Sequence, residues 1–132
     1  MFVRFVVSHR HSETGMPTGI FEAVKLLPRV GQLPDWDERQ LDAISDWFVD
    51  HLPHPTRVAR SARPNGAHRA LSWFKASARE HIARARELAA ILERHDILTE
   101  MLQTDRPGYI VYEDEFQVLA EPFRSESSDR AI

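Results

Sequence analysis

ALSWFKASAREHIARARELAAILERHDILTEMLQT, residues 70–104, is the stretch on which the fold turns. Ala70-Leu71-Ser72-Trp73-Phe74 reads as a short strand, rich in side chains that suit a pleated surface. Ser77 and Glu80 follow at the spacing of a capping box, in which the hydroxyl accepts a first-turn N–H and the carboxylate reaches back to the cap. The Ala, Arg, Glu and Leu residues beyond them are strong helix formers, so a helix is predicted through about His95. Its apolar stripe is Ile82, Ala85, Leu88, Ala89 and Leu92, with Arg79, Arg86 and Arg94 outside. Leu98 to Thr104 then has the length of a strand. If the two strands lie parallel in one sheet, the crossover between them is right-handed.

Downstream, Asp105-Arg106-Pro107-Gly108 is a turn, with Gly108 where a positive φ is cheapest. Tyr109 to Tyr112 and Phe116 to Ala120 are two further strands about the acidic turn Glu113-Asp114-Glu115. Residues 124–132, rich in Ser and charge, are expected to fray. Upstream, Phe2 to Val7 is a strand interrupted by Arg4, and Ser8 to Gly19 is a polar loop. Thr18 to Leu27 reads as a short helix with Ile20, Val24 and Leu27 on one stripe, stopped by Pro28; Val30 to Pro34 turns the chain. Asp35 and Glu38 then open a second helix in a box-like arrangement, and Leu41, Ile44, Phe48 and Leu52 recur at helical spacing, with Asp42, Asp46 and Asp50 opposite. Pro53 and Pro55 end it, and residues 53–69 form a long basic loop in which Thr56 to Ala59 has the makings of a short strand.

The order β-α-α-β-α-β-β-β defines an α+β chain: one domain over residues 1–123, with a four or five-stranded mixed sheet and about three helices packed mainly on one face. Its early part, a strand, two helices and then antiparallel strands, resembles the small ribonuclease toxins of bacterial toxin-antitoxin systems. The resemblance lies in element order alone, is interrupted by the helix from Ser77, and matches no motif.

At 132 residues and 42% apolar content, the chain is expected to bury roughly two thirds of its unfolded surface in one core. No run of about 18 apolar residues is present to span a bilayer, and Arg4 interrupts the apolar start that a signal peptide needs. A cytoplasmic protein that does not engage membranes is expected. With no Cys, disulfides and thiolate ligands or nucleophiles are excluded. No Walker loop, G-x-G-x-x-G fingerprint, G-x-S-x-G elbow or H-E-x-x-H pair occurs, and no cofactor is expected.

Charge is sorted along the chain. Lys and Arg stand against Asp and Glu as 5 to 8 over residues 1–50, 9 to 3 over 51–95 and 3 to 9 over 96–132, within a net charge of −3. Such sorting produces either a positive surface or a cationic element packed between acidic ones. Arg57, Arg60, Arg63 and Arg69, with Lys75 and Arg79, are the candidate anion- or partner-binding groups, since guanidinium forks suit phosphates and carboxylates. Glu113, Asp114 and Glu115 are the candidate acidic surface. Catalytic candidates are His81, at a helix start rich in cations and expected to be exposed there, and His9 and His11, which share one face of an extended segment. The two histidines have no recognised metal spacing with Glu13 or Glu22, so no metal site is expected.

These features fit a small bacterial-type accessory protein that acts through a charged surface on a larger partner or by self-association. The alternative is a metal-independent ribonuclease or nucleic-acid-binding protein, with His81 or His9 as acid or base and the arginines holding phosphate. Against it stand an isoelectric point near 6.1 and the lack of a helix-turn-helix, RNP or zinc-finger pattern.

Overall fold

Alternation of apolar and polar residues places Val3 and Phe5 inside strand β1 (Phe2–Arg10), and Val6 and Val7 are buried with them. The computed structural model describes residues 1–10, 17–27, 33–54 and 70–123, with His9 and Arg10 described by backbone alone. It is an α+β fold with, among the described residues, six strands, three α-helices and one 3-10 turn. The chain divides into two units: Met1–Arg4, His54–Ala78 and Gln103–Ile132 form the first, and Phe5–Pro53 and Arg79–Leu102 the second. Strand β1 runs through both.

In the first unit β1 pairs with β3 (Leu71–Lys75), β3 with β6 (Gln117–Glu121) and β6 with β5 (Tyr109–Glu113), all antiparallel. Val3 faces Phe74 across the first ladder, and Trp73 faces Val118 across the second. β6, flanked on both sides, is the most continuously buried strand, holding Val118 and Ala120 in the core together with Gln117 and Glu121. Arg4, which breaks the apolar run of β1, donates from Nη1 to the Ser72 carbonyl at 3.0 Å; burial pushes its pKa down to about 10. Gly108 has φ +136°, and a Cβ there would collide with the Glu121 carbonyl oxygen and lie 2.7 Å from its carbon, so only glycine fits this approach. The register of β5 shifts between Ile110 and Tyr112, leaving Val111 as a bulge.

The second unit carries the remainder of β1, paired antiparallel with β2 (Pro17–Gly19) through Val6–Gly19 and Arg10–Pro17, together with most of β4 (Thr99–Thr104), which also pairs with β1 and whose last two residues belong to the first unit. Three differences from the sequence reading follow. Pro17–Gly19 is a strand where a loop is expected, because β1 offers it an unpaired edge. Every pairing of described register is antiparallel, where a mixed sheet is expected. The first helix is brief, α1 (Ile20–Ala23) tightening into a 3-10 turn over Val24–Leu26.

Helices α2 (Asp35–His51) and α3 (Arg79–Arg94) are the long ones, and neither starts as its capping residues suggest. Pro34 occupies the cap of α2 without a side-chain bond, so Asp35 is already helical and, with Asp37 and Glu38, complements the positive end of the helix dipole instead. α3 begins at Arg79, which leaves Ser77 outside the helix, one position early for the cap of the expected box, while Ala76 donates its N–H to the Met1 carbonyl. The far end of α3 closes in a Schellman turn. Asp96 takes φ +64° and donates to Glu93 O, and Ile97 donates to Leu92 O. The long basic loop and the tail of the sequence reading lie outside the described residues, apart from Pro53 and His54. No helix among the described residues is long and apolar enough to cross a membrane.

Candidate functional site

The core-facing stripe of α2 runs Asp37, Leu41, Ile44, Phe48, Leu52, and that of α3 runs His81, Ala85, Leu88, Leu92. Each stripe thus includes one polar residue where an apolar one is the rule, and each of these is buried: Asp37 is 2% exposed and His81 4%. A buried carboxylate needs partners that donate to it, and Asp37 has two, Arg94 and His95. Its Oδ1 accepts from Arg94 Nη2 at 2.6 Å and Nε at 3.1 Å, and its Oδ2 from His95 Nε2 at 2.9 Å. Arg94 also donates to Gln40 Oε1 and lies 4.9 Å from the centre of the Trp36 ring. The Arg94 hydrogen bonds hold the Asp37 carboxyl below its ordinary range, against the opposing effect of burial and with help from His95. The acid sits at the start of α2 and Arg94 at the end of α3, so both helix dipoles are complemented by one contact.

The opposite ends meet through His81. Its Nε2 lies 2.8 Å from the carbonyl of His51, and because a carbonyl only accepts, Nε2 carries the proton. That carbonyl is among the last four of α2, which have no partner within the helix. The His81 ring meets the Trp47 ring edge-on at 4.8 Å, and His51 stacks on Trp47 at 4.4 Å while its Nδ1–H donates to the Trp47 carbonyl. Arg84 lies 5.5 Å from the Trp47 ring and pairs with Glu87. The two helices are therefore antiparallel, and a side chain of α3 closes each end of the pair.

His81 is consequently not on an exposed helix start. It is a buried ring with one nitrogen committed to a main-chain acceptor. Arg79 is exposed. Lys75 is paired with Glu113 at 2.6 Å, so one candidate cation is neutralised by one candidate acid. Asp114 organises its own hairpin: Oδ1 accepts from the Phe116 and Gln117 N–H groups, and Oδ2 from Tyr112 Oη and Gln117 Nε2. Burial opposes ionisation there, yet these donors hold its carboxyl below the ordinary range, and Tyr112 is raised, chiefly by its bond to Asp114. Glu115 alone of the three acids remains an exposed carboxylate without a described partner. His11, Arg57, Arg60, Arg63 and Arg69 lie outside the described residues, as does the His9 side chain.

The solvent side of α2 is where charge collects. Asp35, Asp42, Asp46 and Asp50 are exposed and Glu38 half-buried, and none of them takes part in an ion pair among the described residues. Arg39 is the one cation of this helix. Among the acids, Trp36 is 62% and Val49 81% exposed. On the side of α2 that carries Ser45 opens a cavity of about 230 Å³ lined by Phe21, Val24, Ile44, Ser45, Phe48 and Leu88. Ser45 is its rim, and Glu38, Asp42, Ser45 and Val49 form one line along α2 at spacings of four, three and four residues.

No family model, no curated protein and no solved structure matches this chain.

Proposed function

We propose that this chain is a binding protein that acts on a larger, positively charged protein partner through the outer face of α2. The observation that carries the reading is the row of carboxylates on this outer face of α2, none of them in an ion pair among the described residues and set against the single cation Arg39, with Trp36 and Val49 exposed on the same helix. Charge of one sign on a surface steers and selects an opposite partner, while the apolar groups among it supply the burial that makes a contact last. Self-association through the same face is disfavoured: a two-fold contact sets a patch against its own copy and would oppose Asp42 and Asp46 with like charge.

The test replaces Asp35, Asp42, Asp46 and Asp50 together by Asn and measures binding of a basic peptide by fluorescence anisotropy. The parent should bind in a salt-sensitive way. The variant should bind weakly, with most of the salt dependence gone. Equal binding by the two proteins would end this reading.

A second reading, a metal-independent ribonuclease, draws on His95. It is the described histidine whose ring is oriented by a buried carboxylate, and its Nδ1 has no partner among the described residues. Hydrolysis of RNA by the purified protein, lost in His95→Ala, would favour it; an RNA substrate left intact by the parent would dismiss it.

A further inference from the structure

Resting on that binding reading, we infer that the cavity between α1, the 3-10 turn, α2 and α3 is the socket for an apolar anchor of the partner, presented on a basic amphipathic helix. The size points to a side chain. A cavity of about 150 Å³ accommodates one benzene ring, so 230 Å³ holds one or two large apolar side chains. It falls below the roughly 300–1,000 Å³ of pockets that enclose a drug-sized ligand. The walls suit such an anchor: Ile44, Phe48 and Leu88 form a buried apolar floor, and Phe21, 45% exposed, is a lip that meets Phe48 edge-on at 5.0 Å.

The charge at the rim specifies the rest of the occupant. Glu38 and Asp42 precede Ser45 on the same line of α2, and Val49 follows it, so a ligand seated in the socket lies along a carboxylate pair and an exposed valine. An apolar ligand alone would leave these carboxylates partly desolvated and unpaired, which is costly. A helix carrying Leu or Phe on one face with Lys or Arg beside it satisfies socket and rim together, in the manner of amphipathic helices laid in grooves. A second copy of this chain offers no such match through α2, whose described surface is acidic.

The experiment uses the full chain and two synthetic peptides of identical Leu and Arg composition, one amphipathic as a helix and one scrambled. The amphipathic peptide should bind more tightly. Ser45→Trp, placed at the exposed rim to fill the cavity, should weaken it by about tenfold or more and erase its advantage. Glu38→Gln with Asp42→Asn should weaken both peptides at low salt. In the parent, the methyl resonances of Ile44 and Leu88 should shift on adding the amphipathic peptide, a readout that does not depend on any variant folding.

If both peptides bind alike, Ser45→Trp changes nothing and the methyls stay in place, the socket inference is overturned while the acidic-face reading stands. If neither peptide binds, both fail. Self-association abolished by Ser45→Trp would make a second copy the occupant and overturn the basic helix.

Discussion

Removing the His81 ring should loosen the α2–α3 pair far more than its position at a helix start would suggest. The ring is buried, donates at 2.8 Å to the His51 carbonyl, and meets Trp47 edge-on at 4.8 Å and Phe48 at 6.2 Å. The hydrogen bond contributes about 1 kcal/mol net and the ring contact about 0.5–1.5 kcal/mol. Truncating a buried ring also leaves a cavity, and comparable core truncations cost about 2–5 kcal/mol in all. We therefore expect His81→Ala to destabilise by about 3 kcal/mol. His81→Phe keeps the volume and loses the donor, so about 1–2 kcal/mol is expected, chiefly from the carbonyl left without its partner. Equilibrium urea unfolding measures both, and the midpoint should move with the slope unchanged. His81→Ala within about 0.5 kcal/mol of the parent, the range of an ordinary surface substitution, would refute the assignment of this ring to the helix contact.

Two further outcomes follow from the other end of that contact. Asp96, at φ +64°, occupies a position that glycine takes without strain, so Asp96→Gly should stabilise by about 0.5–1 kcal/mol in the same unfolding assay; a loss of stability would mean the aspartate side chain makes a contact of its own. The Asp37 carboxyl titrates below its ordinary range in the folded chain and returns to about 3.9 on unfolding. Its stabilising contribution is thus fully present above that value and is lost as pH falls through the folded pKa. The stability difference between the parent and Asp37→Asn should hold above about pH 5 and shrink as pH falls below the unfolded value of about 3.9, and a constant difference would contradict the ion-paired state.

Much of the fold was legible, and the reason is periodicity. The strands from Leu71, Thr99, Tyr109 and Gln117 and the two long helices fall close to where alternation and helical spacing place them. Helix starts were not legible, because Ser77 and Asp35 satisfy a cap pattern that the chain does not use: α3 begins after a turn in which Ala78 donates to Lys75 O, and α2 begins directly after Pro34. The short β2 was hidden for a different reason, since three residues including Pro and Gly carry no pattern and acquire strand geometry only from the edge they join.

The polar contacts between the helices had a sequence signal that composition does not reveal. Asp37 extends the spacing of Leu41, Ile44 and Phe48, and His81 that of Ala85, Leu88 and Leu92. A polar residue in register with an apolar stripe must be buried and partnered. That requirement singles out Asp37 directly, and with it Arg94 and His95 at the end of the next long helix. The acidic turn misled in the opposite way: three consecutive acids look like one surface, but hydrogen-bond geometry separates them into an ion pair, a turn organiser and a solvated side chain.

The hairpin that Asp114 organises also sets an order of events in time. Its contacts join residues three positions apart, Gln117 to Asp114, whereas β1 is joined to β3 by a bond from Arg4 to Ser72 that spans 68 positions. Closing the longer loop costs about 2–3 kcal/mol more in chain entropy, by the logarithmic dependence on length. Hairpins form in about 1–10 μs, so β5 and β6 are ready long before the amino-terminal strand arrives. β3 reaches β6 only across 43 to 49 positions, a closure within about 0.5 kcal/mol of the one to β1, so both edges of β3 should pair late, and a foreign strand competing for them would do so before either loop closes.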